Sequence, residues 1–152
     1  MLLSSMFVLL LTYTILSMTD FNQLGPIVAY NAQSLRKQGR LEHILGEFQH
    51  ASIVCINGTR WRAKDQIPVE LFYVRGFLVY SAGYGRSSSS HAGVMICLNR
   101  RWFTENCVVQ QAYSTGNIQG RALCLRVKRG QGDWAPVATY APPIQPQGAE
   151  GH

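Results

Sequence analysis

Polar side chains that can contact a phosphate group lie at the ends of three apolar stretches of this sequence. The first stretch, IVAYNAQSL over residues 27–35, contains Asn31, and the last, VATYAPP over residues 137–143, contains Tyr140. Between them, the apolar residues 52–56 lead into the sequence NGTRW. Amide, hydroxyl and guanidinium groups in these positions are suited to phosphate chemistry, with guanidinium groups as the strongest partners.

The carboxylates do not follow the same pattern. Hydrolysis of a phosphodiester needs a metal ion on the phosphate and a base near the attacking water. Magnesium prefers hard oxygen ligands in octahedral geometry. The eight acidic residues stand away from the strand ends that carry Asn31 and Tyr140, in the leader, the first helix, two loops, a strand start and the tail: Asp20, Glu42, Glu47, Asp65, Glu70, Glu105, Asp133 and Glu150. We therefore predict no metal ligands, and we expect helical or surface roles for the four histidines.

The elements that must position these residues begin with a strand at 26–31. A helix follows, with Ser34 as its N-cap and apolar residues at helical spacing through about residue 49. The next strand, 52–56, is apolar throughout, as in strands covered on both faces. This order predicts a parallel βαβ unit. Asn57 and Gly58 are either a hairpin turn or part of a loop at the rim of the sheet.

The remaining sequence predicts mostly strands. Residues 67–72 are compatible with a short helix or a turn, and the serine-rich residues 83–90 are typical of a loop. A turn rich in glycine and charge is expected at 128–133. The predicted strands cover residues 76–81, 91–98, 105–112, 120–127 and 134–140.

Composition fits one domain with a core. The chain has 152 residues, of which 47% are hydrophobic. Its net charge of +6 favours an acidic partner, nucleic acid first. The four cysteines form no C-x-x-C pair, so we expect free thiols in a reducing compartment.

The two termini are expected to lie outside the domain. Residues 1–25 form an apolar leader whose apolar core is shorter than the about 20 residues that span a bilayer. It also lacks the preceding positive charge of a signal peptide. We expect no stable membrane insertion, and an intracellular (nuclear or cytoplasmic) protein that is not secreted. The domain is placed at 26–143, and residues 144–152 have the composition of a disordered tail.

The order of these motifs resembles the endonuclease/exonuclease/phosphatase superfamily, in the form of the endonuclease domains of non-LTR retrotransposons. The resemblance covers residues 27–143 and rests on six features in the same order: Asn31 with Ser34 and Leu35, a helix, an apolar strand that leads to Thr59-Arg60-Trp61, His91-Ala92-Gly93-Val94, Gly120-Arg121 with an alternating strand, and Tyr140-Ala141-Pro142. Members are Mg²⁺-dependent phosphodiesterases with a four-layer α/β/β/α sandwich. The fold expected here is α/β (α+β), a partial sandwich that is mainly one mixed sheet backed by helices.

The resemblance also implies roles for individual residues. Asn31 matches an Asn that helps to hold the metal or the attacking water, and Tyr140 matches a Tyr that contacts the phosphate or the leaving group. Tyr140 can equally be an ordinary half-buried strand residue. Gly58 matches the metal-binding Glu of the family. Arg60 and Trp61, with the adjacent Arg62, lie where the family has its DNA-binding rim.

Two departures from the family pattern decide the expected function. Gly58 has no side chain to hold Mg²⁺, and the chain ends before the family's Asp-x-Asn and Asp-His positions. The resemblance therefore implies a truncated, inactive member derived from a retrotransposon.

Two alternatives stay open. One is a non-catalytic module that binds DNA through its basic residues, with Trp61 and Trp102 stacking on bases: Arg36, Lys37, Arg40, Arg60, Arg62, Arg100, Arg101, Lys128 and Arg129. The other is a half-enzyme completed by a partner chain. Self-association or a partner would cover an apolar sheet face expected along residues 53–56, 94–98 and 123–127.

Overall fold

The structure, a computed structural model, describes residues 24–142. Its elements, in chain order, are β1 (Ile27–Asn31), α1 (Arg40–Glu47), β2 (Ile53–Asn57), β3 (Glu70–Val74), β4 (Phe77–Ala82), β5 (Val94–Asn99), β6 (Val108–Tyr113), β7 (Ala122–Arg129), β8 (Gly132–Trp134) and β9 (Val137–Thr139). Short 3-10 turns precede β6 and β7. The expectations for most of the leader and for the tail fall outside the described residues.

The first sheet has five strands in the order β1-β2-β5-β4-β3. β1 and β2 are parallel, with Asn31 opposite Asn57, and the other neighbours are antiparallel. The predicted βαβ unit is therefore present. The mixed sheet and the α+β class are confirmed.

Helix α1 covers one face of this sheet because its apolar residues recur every three or four positions. Leu41, Ile44 and Leu45 are buried against alternate residues of the strands, among them Val54 and Met95. The side chain of Asn99, at the end of β5, donates to the carbonyls of Gln49 and Ala51 at 3.0 and 2.8 Å. These hydrogen bonds fix the connection from α1 to β2.

A second sheet lies on the other face. β7 is its central strand and pairs with β6 on one side and with β8 and β9 on the other. Leu123 and Leu125 of β7 and Ala138 of β9 face the first sheet and meet Ile96 and Leu98 of β5. The described part of the chain is thus a three-layer α/β/β arrangement with one core under the helix and another between the sheets.

The expected uncovered apolar face is not present. All residues of 53–56 and 94–98 are buried, and Leu123, Leu125 and Val127 are fully buried. The expectation of mainly one sheet was wrong on this point because β6 to β9 form a sheet of their own that packs on the first. These three runs therefore give no reason to expect self-association or a partner chain.

The helix begins later than predicted. Ser34 is not its N-cap, because the next residue, Leu35, is not helical. The backbone N–H of Leu35 donates to the carbonyl of Thr59 at 2.7 Å and joins the chain to the loop after β2. Gly39, in the left-handed region with φ 78°, precedes the first helical residue. Asn57 and Gly58 form no hairpin, since β2 pairs with β1 and β5.

Two further elements differ from the prediction. Residues 70–74 form strand β3 because Glu70, Phe72 and Val74 are partly buried on one face while Leu71 and Tyr73 are exposed on the other. This is the two-residue period of a half-covered strand. The last predicted strand is two strands, β8 and β9, separated at Ala135 and Pro136.

Candidate nucleic-acid interface

Asn31, Gly58 and Tyr140 meet at one end of the molecule, although Tyr140 is far from the other two in sequence. A Cβ atom placed on Gly58 would lie 2.9 Å from Asn31 Oδ1 and 3.8 Å from Tyr140 Cε2. Asn31 is the last residue of β1, Gly58 follows β2, and Tyr140 follows β9. Parallel β1 and β2 end at the same edge, and the backbone N–H of Tyr140 donates to the carbonyl of Arg121 at 2.8 Å, which continues the β7–β9 ladder.

The loop after β2 is held in an unusual backbone conformation. Gly58 and Arg60 have φ angles of 62° and 53°, which are in the left-handed region. That region is uncommon for a residue such as arginine. Thr59 and Arg60 donate their backbone N–H groups to the carbonyls of Gly93 and Ala92, each at 3.0 Å. These bonds to the β4–β5 loop maintain the strained conformation, a feature that clusters at functional sites.

The residues at this convergence do not fit a magnesium ion. Asn31 Oδ1 already accepts the backbone N–H of Gln33 at 3.1 Å, and Gly58 offers no ligand. Asn57 adds a carboxamide, whose Oδ1 is buried without a hydrogen-bond partner. Within residues 24–142 there is no group of three or more His, Cys, Asp or Glu side chains that could hold a metal. Neutral amides and a phenol are a weak donor set for a cation that prefers carboxylates.

The structure places Arg60, Trp61 and Arg62 in three different environments. Arg60 is half-buried and Arg62 is exposed. The Trp61 ring stacks on Phe72 at a centroid distance of 5.8 Å, and its Nε1 donates to Glu70 at 3.4 Å. One face of the indole is therefore occupied by packing, so Trp61 supports the loop more than it offers a free stacking surface.

Positive charge at this end is largely uncompensated. The β1–α1 loop carries Arg36 and Lys37, and the loop after β2 carries Arg60 and Arg62; their side chains form no ion pair within the described residues. Of the described acids at this end, Glu42 lies in the first turn of α1 and two others are already paired. Asp65 binds Arg86 at 3.1 Å, and Glu70 binds Lys64.

Arg40 also lies at this end, where its Nη2 donates to the carbonyl of Ala32 at 2.8 Å. The other four predicted basic residues lie at the opposite end of the sandwich. Arg100 and Arg101 follow β5, which runs antiparallel to β2, and Arg100 stacks on Tyr73 at 5.3 Å from the ring centroid. Trp102 lies beside them, with Arg101 5.8 Å above its ring. Lys128 and Arg129 end β7, and Lys128 lies 3.5 Å from Asp133. Hydrogen bonds from Arg126 lower the pKa of Asp133 and hold it ionised beside Lys128.

Two further polar residues lie at the same end, and neither was among the predicted site residues. Asn57 is the neighbour of Asn31 in the parallel ladder and shares its face of the sheet. Arg121 directly precedes β7, and its Nε is buried without a partner. The sequence shows Arg121 only as part of a Gly-Arg motif, because its placement depends on the register between β7 and β9.

Among residues 24–142, no helix is long and apolar enough to cross a membrane. Comparison of the chain with protein-family models gives no match, and comparison with curated proteins gives none either.

Proposed function

We propose that this chain is a non-cleaving relative of the endonuclease/exonuclease/phosphatase superfamily, similar to retrotransposon endonuclease domains, that binds nucleic acid at the end carrying Asn31 and Tyr140. The observation that carries the proposal is the position of Gly58. It lies against Asn31 and Tyr140, where the resemblance requires a metal-binding carboxylate, and no carboxylate is among its nearest neighbours. Phosphate-contacting side chains meet there without the group that would hold Mg²⁺.

Nucleic-acid binding is supported by the distribution of charge. Four basic side chains without an ion pair in the described part of the chain surround this convergence: Arg36, Lys37, Arg60 and Arg62. Basic residues that bind phosphates release condensed counterions, and the logarithm of the binding constant then falls linearly with the logarithm of the salt concentration. Basic side chains can bind the phosphates of a nucleic acid without hydrolysing them. Such binding is therefore compatible with the missing metal ligand at Gly58.

Two measurements on the same purified chain test the two parts of this proposal. In fluorescence anisotropy with a short DNA duplex, we expect binding with a salt slope of about −3 to −4, which corresponds to about four neutralised phosphates. In an assay on supercoiled plasmid with Mg²⁺, we expect no nicking above that of a buffer control. Salt-independent binding would contradict the first part. Nicking that Tyr140→Phe abolishes would contradict the second.

A further inference from the structure

Arg121 is a partly buried guanidinium with no counterion among the described residues. Its Nε is inaccessible to water and has no hydrogen-bond partner, and the side chain forms no ion pair within residues 24–142. Burying a charged donor without a partner costs free energy because the lost hydration is not replaced. A positive group that keeps this arrangement is suited to receive an anion from outside the chain.

The β7–β9 ladder places Arg121 beside Tyr140. Ala122 pairs with Thr139, so the next cross-strand pair is Arg121 with Tyr140, and the backbone hydrogen bond of 2.8 Å between them continues the ladder. Leu123 and Ala138 are buried on the inner face of the sheet. Because side chains alternate along a strand, Arg121 and Tyr140 lie on that same inner face. They stand at the end of the core between the two sheets.

The first sheet contributes a second unsatisfied polar group to this end of the core. Asn57 pairs with Val94, and the neighbouring Gly93 donates its N–H to the carbonyl of Gly120 at 2.8 Å. The Gly93–Gly120 hydrogen bond joins the residue before β5 to a residue just before β7. Asn57 pairs with the residue that follows Gly93, and Arg121 is the residue that follows Gly120. The Asn57 oxygen is buried without a donor. A half-turn of the carboxamide exchanges this acceptor for the NH₂ donor that an anion requires.

We propose that Arg121, with Tyr140 and Asn57, forms a metal-free subsite for a single phosphate group of a bound nucleic acid. The proposal rests on the proposed function and adds to it the residue that binds one phosphate at a defined position. An arginine fork matches the geometry of phosphate oxygens. The positive charge that a metal ion would bring to this end is then supplied by the chain itself.

Inorganic phosphate tests the subsite without nucleic acid. The thermal midpoint of the chain is measured in phosphate and in chloride at equal ionic strength, for the natural chain, Arg121→Met and Arg129→Met. Arg129 is exposed at the far end of the same strand and serves as the matched control. We expect phosphate to raise the midpoint of the natural chain and of Arg129→Met, but to raise that of Arg121→Met less. An equal rise in all three would overturn the proposal.

The same variants separate binding from a structural role. In chloride, we expect the midpoint of Arg121→Met to equal or exceed that of the natural chain, because methionine removes the unpaired buried nitrogen and keeps most of the apolar stem. A structural arginine would give a lower midpoint in chloride and no change in the phosphate-induced rise. Arg121→Lys keeps the charge without the fork, so we expect an intermediate rise in phosphate.

A scan of a short DNA duplex identifies the phosphate. Each backbone phosphate is replaced in turn by a neutral methylphosphonate, and affinity is measured by anisotropy. With the natural chain, we expect one position to cost about tenfold, equivalent to about 1.4 kcal/mol, and with Arg121→Met that position should cost nothing more. Salt-dependent binding with an identical scan for both chains would overturn the subsite and leave the proposed function standing. If the chain binds no DNA but phosphate raises its thermal midpoint through Arg121, the proposed function is overturned and the anion subsite remains.

Discussion

At the scale of single residues, Gly58 bears on the proposed lack of a metal site in two ways. It lacks a carboxylate, and its backbone has φ 62°, which a residue with a Cβ adopts only with strain. A Cβ there would also lie 2.9 Å from Asn31 Oδ1. The local backbone is therefore adapted to glycine, so introducing a carboxylate would require Asn31 to rotate and the loop to absorb strain.

Cys55 gives a prediction on pH dependence because it is buried between the two sheets. Burial raises the pKa of its thiol to about 12, while the unfolded chain ionises it near the ordinary value. Above pH 9 the unfolded state therefore loses a proton that the folded state keeps, and stability falls as pH rises. We expect about 1.4 kcal/mol of lost stability per pH unit between about pH 9 and 12 from this residue.

Urea unfolding of the natural chain and of Cys55→Val at about pH 8.5 and pH 10.5 measures this contribution. Both chains keep the second buried thiol, Cys97, and all lysines and tyrosines, so their common pH dependence cancels in the comparison. Cys55→Val should lose about 2 kcal/mol less than the natural chain over this interval. Equal losses in the two chains would show that Cys55 is ionised or exposed in the folded state.

At the scale of elements, the contact between the β2–β3 and β4–β5 loops depends on Gly93. Its φ is 114°, and a Cβ there would overlap Thr59 Oγ1 and lie 3.1 Å from the backbone nitrogen of Trp61. Thr59 is fully buried and accepts the N–H of Trp61 at 3.2 Å. Only glycine permits this approach, which positions the loop that carries Arg60.

We expect Gly93→Ala to lower the free energy of unfolding by about 2–3 kcal/mol, from backbone strain and the displaced Thr59 side chain. Gly46→Ala is the matched control because Gly46 is helical and a Cβ there meets nothing within 4 Å. That variant should gain about 0.5–1 kcal/mol from the higher helix propensity of alanine. Urea midpoints check both values, and similar midpoints for the two variants would contradict this account of Gly93.

The elements that could be predicted from the sequence are those with a strong local signal. β1, β2 and β5 are apolar runs, and their bounds in the structure differ from the predicted ones by few residues. The late start of α1 was not predictable from spacing, because the backbone bond from Leu35 to Thr59 joins residues of different elements. β3 was obscured by Ile67 and Leu71, whose spacing also fits a helical turn although Leu71 is exposed on a strand.

The candidate site was predictable in the same measure. Asn31 and Gly58 follow the two strands of a βαβ unit, so the pattern itself predicts that they meet. The position of Tyr140 followed only from the resemblance, since β9 belongs to the second sheet. The role of Arg121 needed the register of β7 against β9 and the burial of one side-chain nitrogen. Neither the strand register nor the burial of that nitrogen can be predicted from a short stretch of sequence.

At the scale of the whole molecule, the sandwich has two basic ends with different surroundings. The end with Asn31 and Tyr140 carries Arg60 and Arg62, unpaired within the described residues. The other end carries Arg100 over the ring of Tyr73 and Arg101 over that of Trp102. Net charge alone does not distinguish these ends, because each contributes several arginines to the total of +6.

Paired substitutions decide which end binds nucleic acid. The double variant Arg60→Gln, Arg62→Gln and the matched double variant Arg100→Gln, Arg101→Gln lower the net charge by the same amount. If binding were only attraction to a basic protein, both would weaken it equally. If phosphates bind at the end with Asn31, the first variant should reduce the magnitude of the salt slope by about 2, since each phosphate that is no longer neutralised lowers it by about 0.9. The second should leave the slope nearly unchanged, and the reverse result would place the interface at the opposite end.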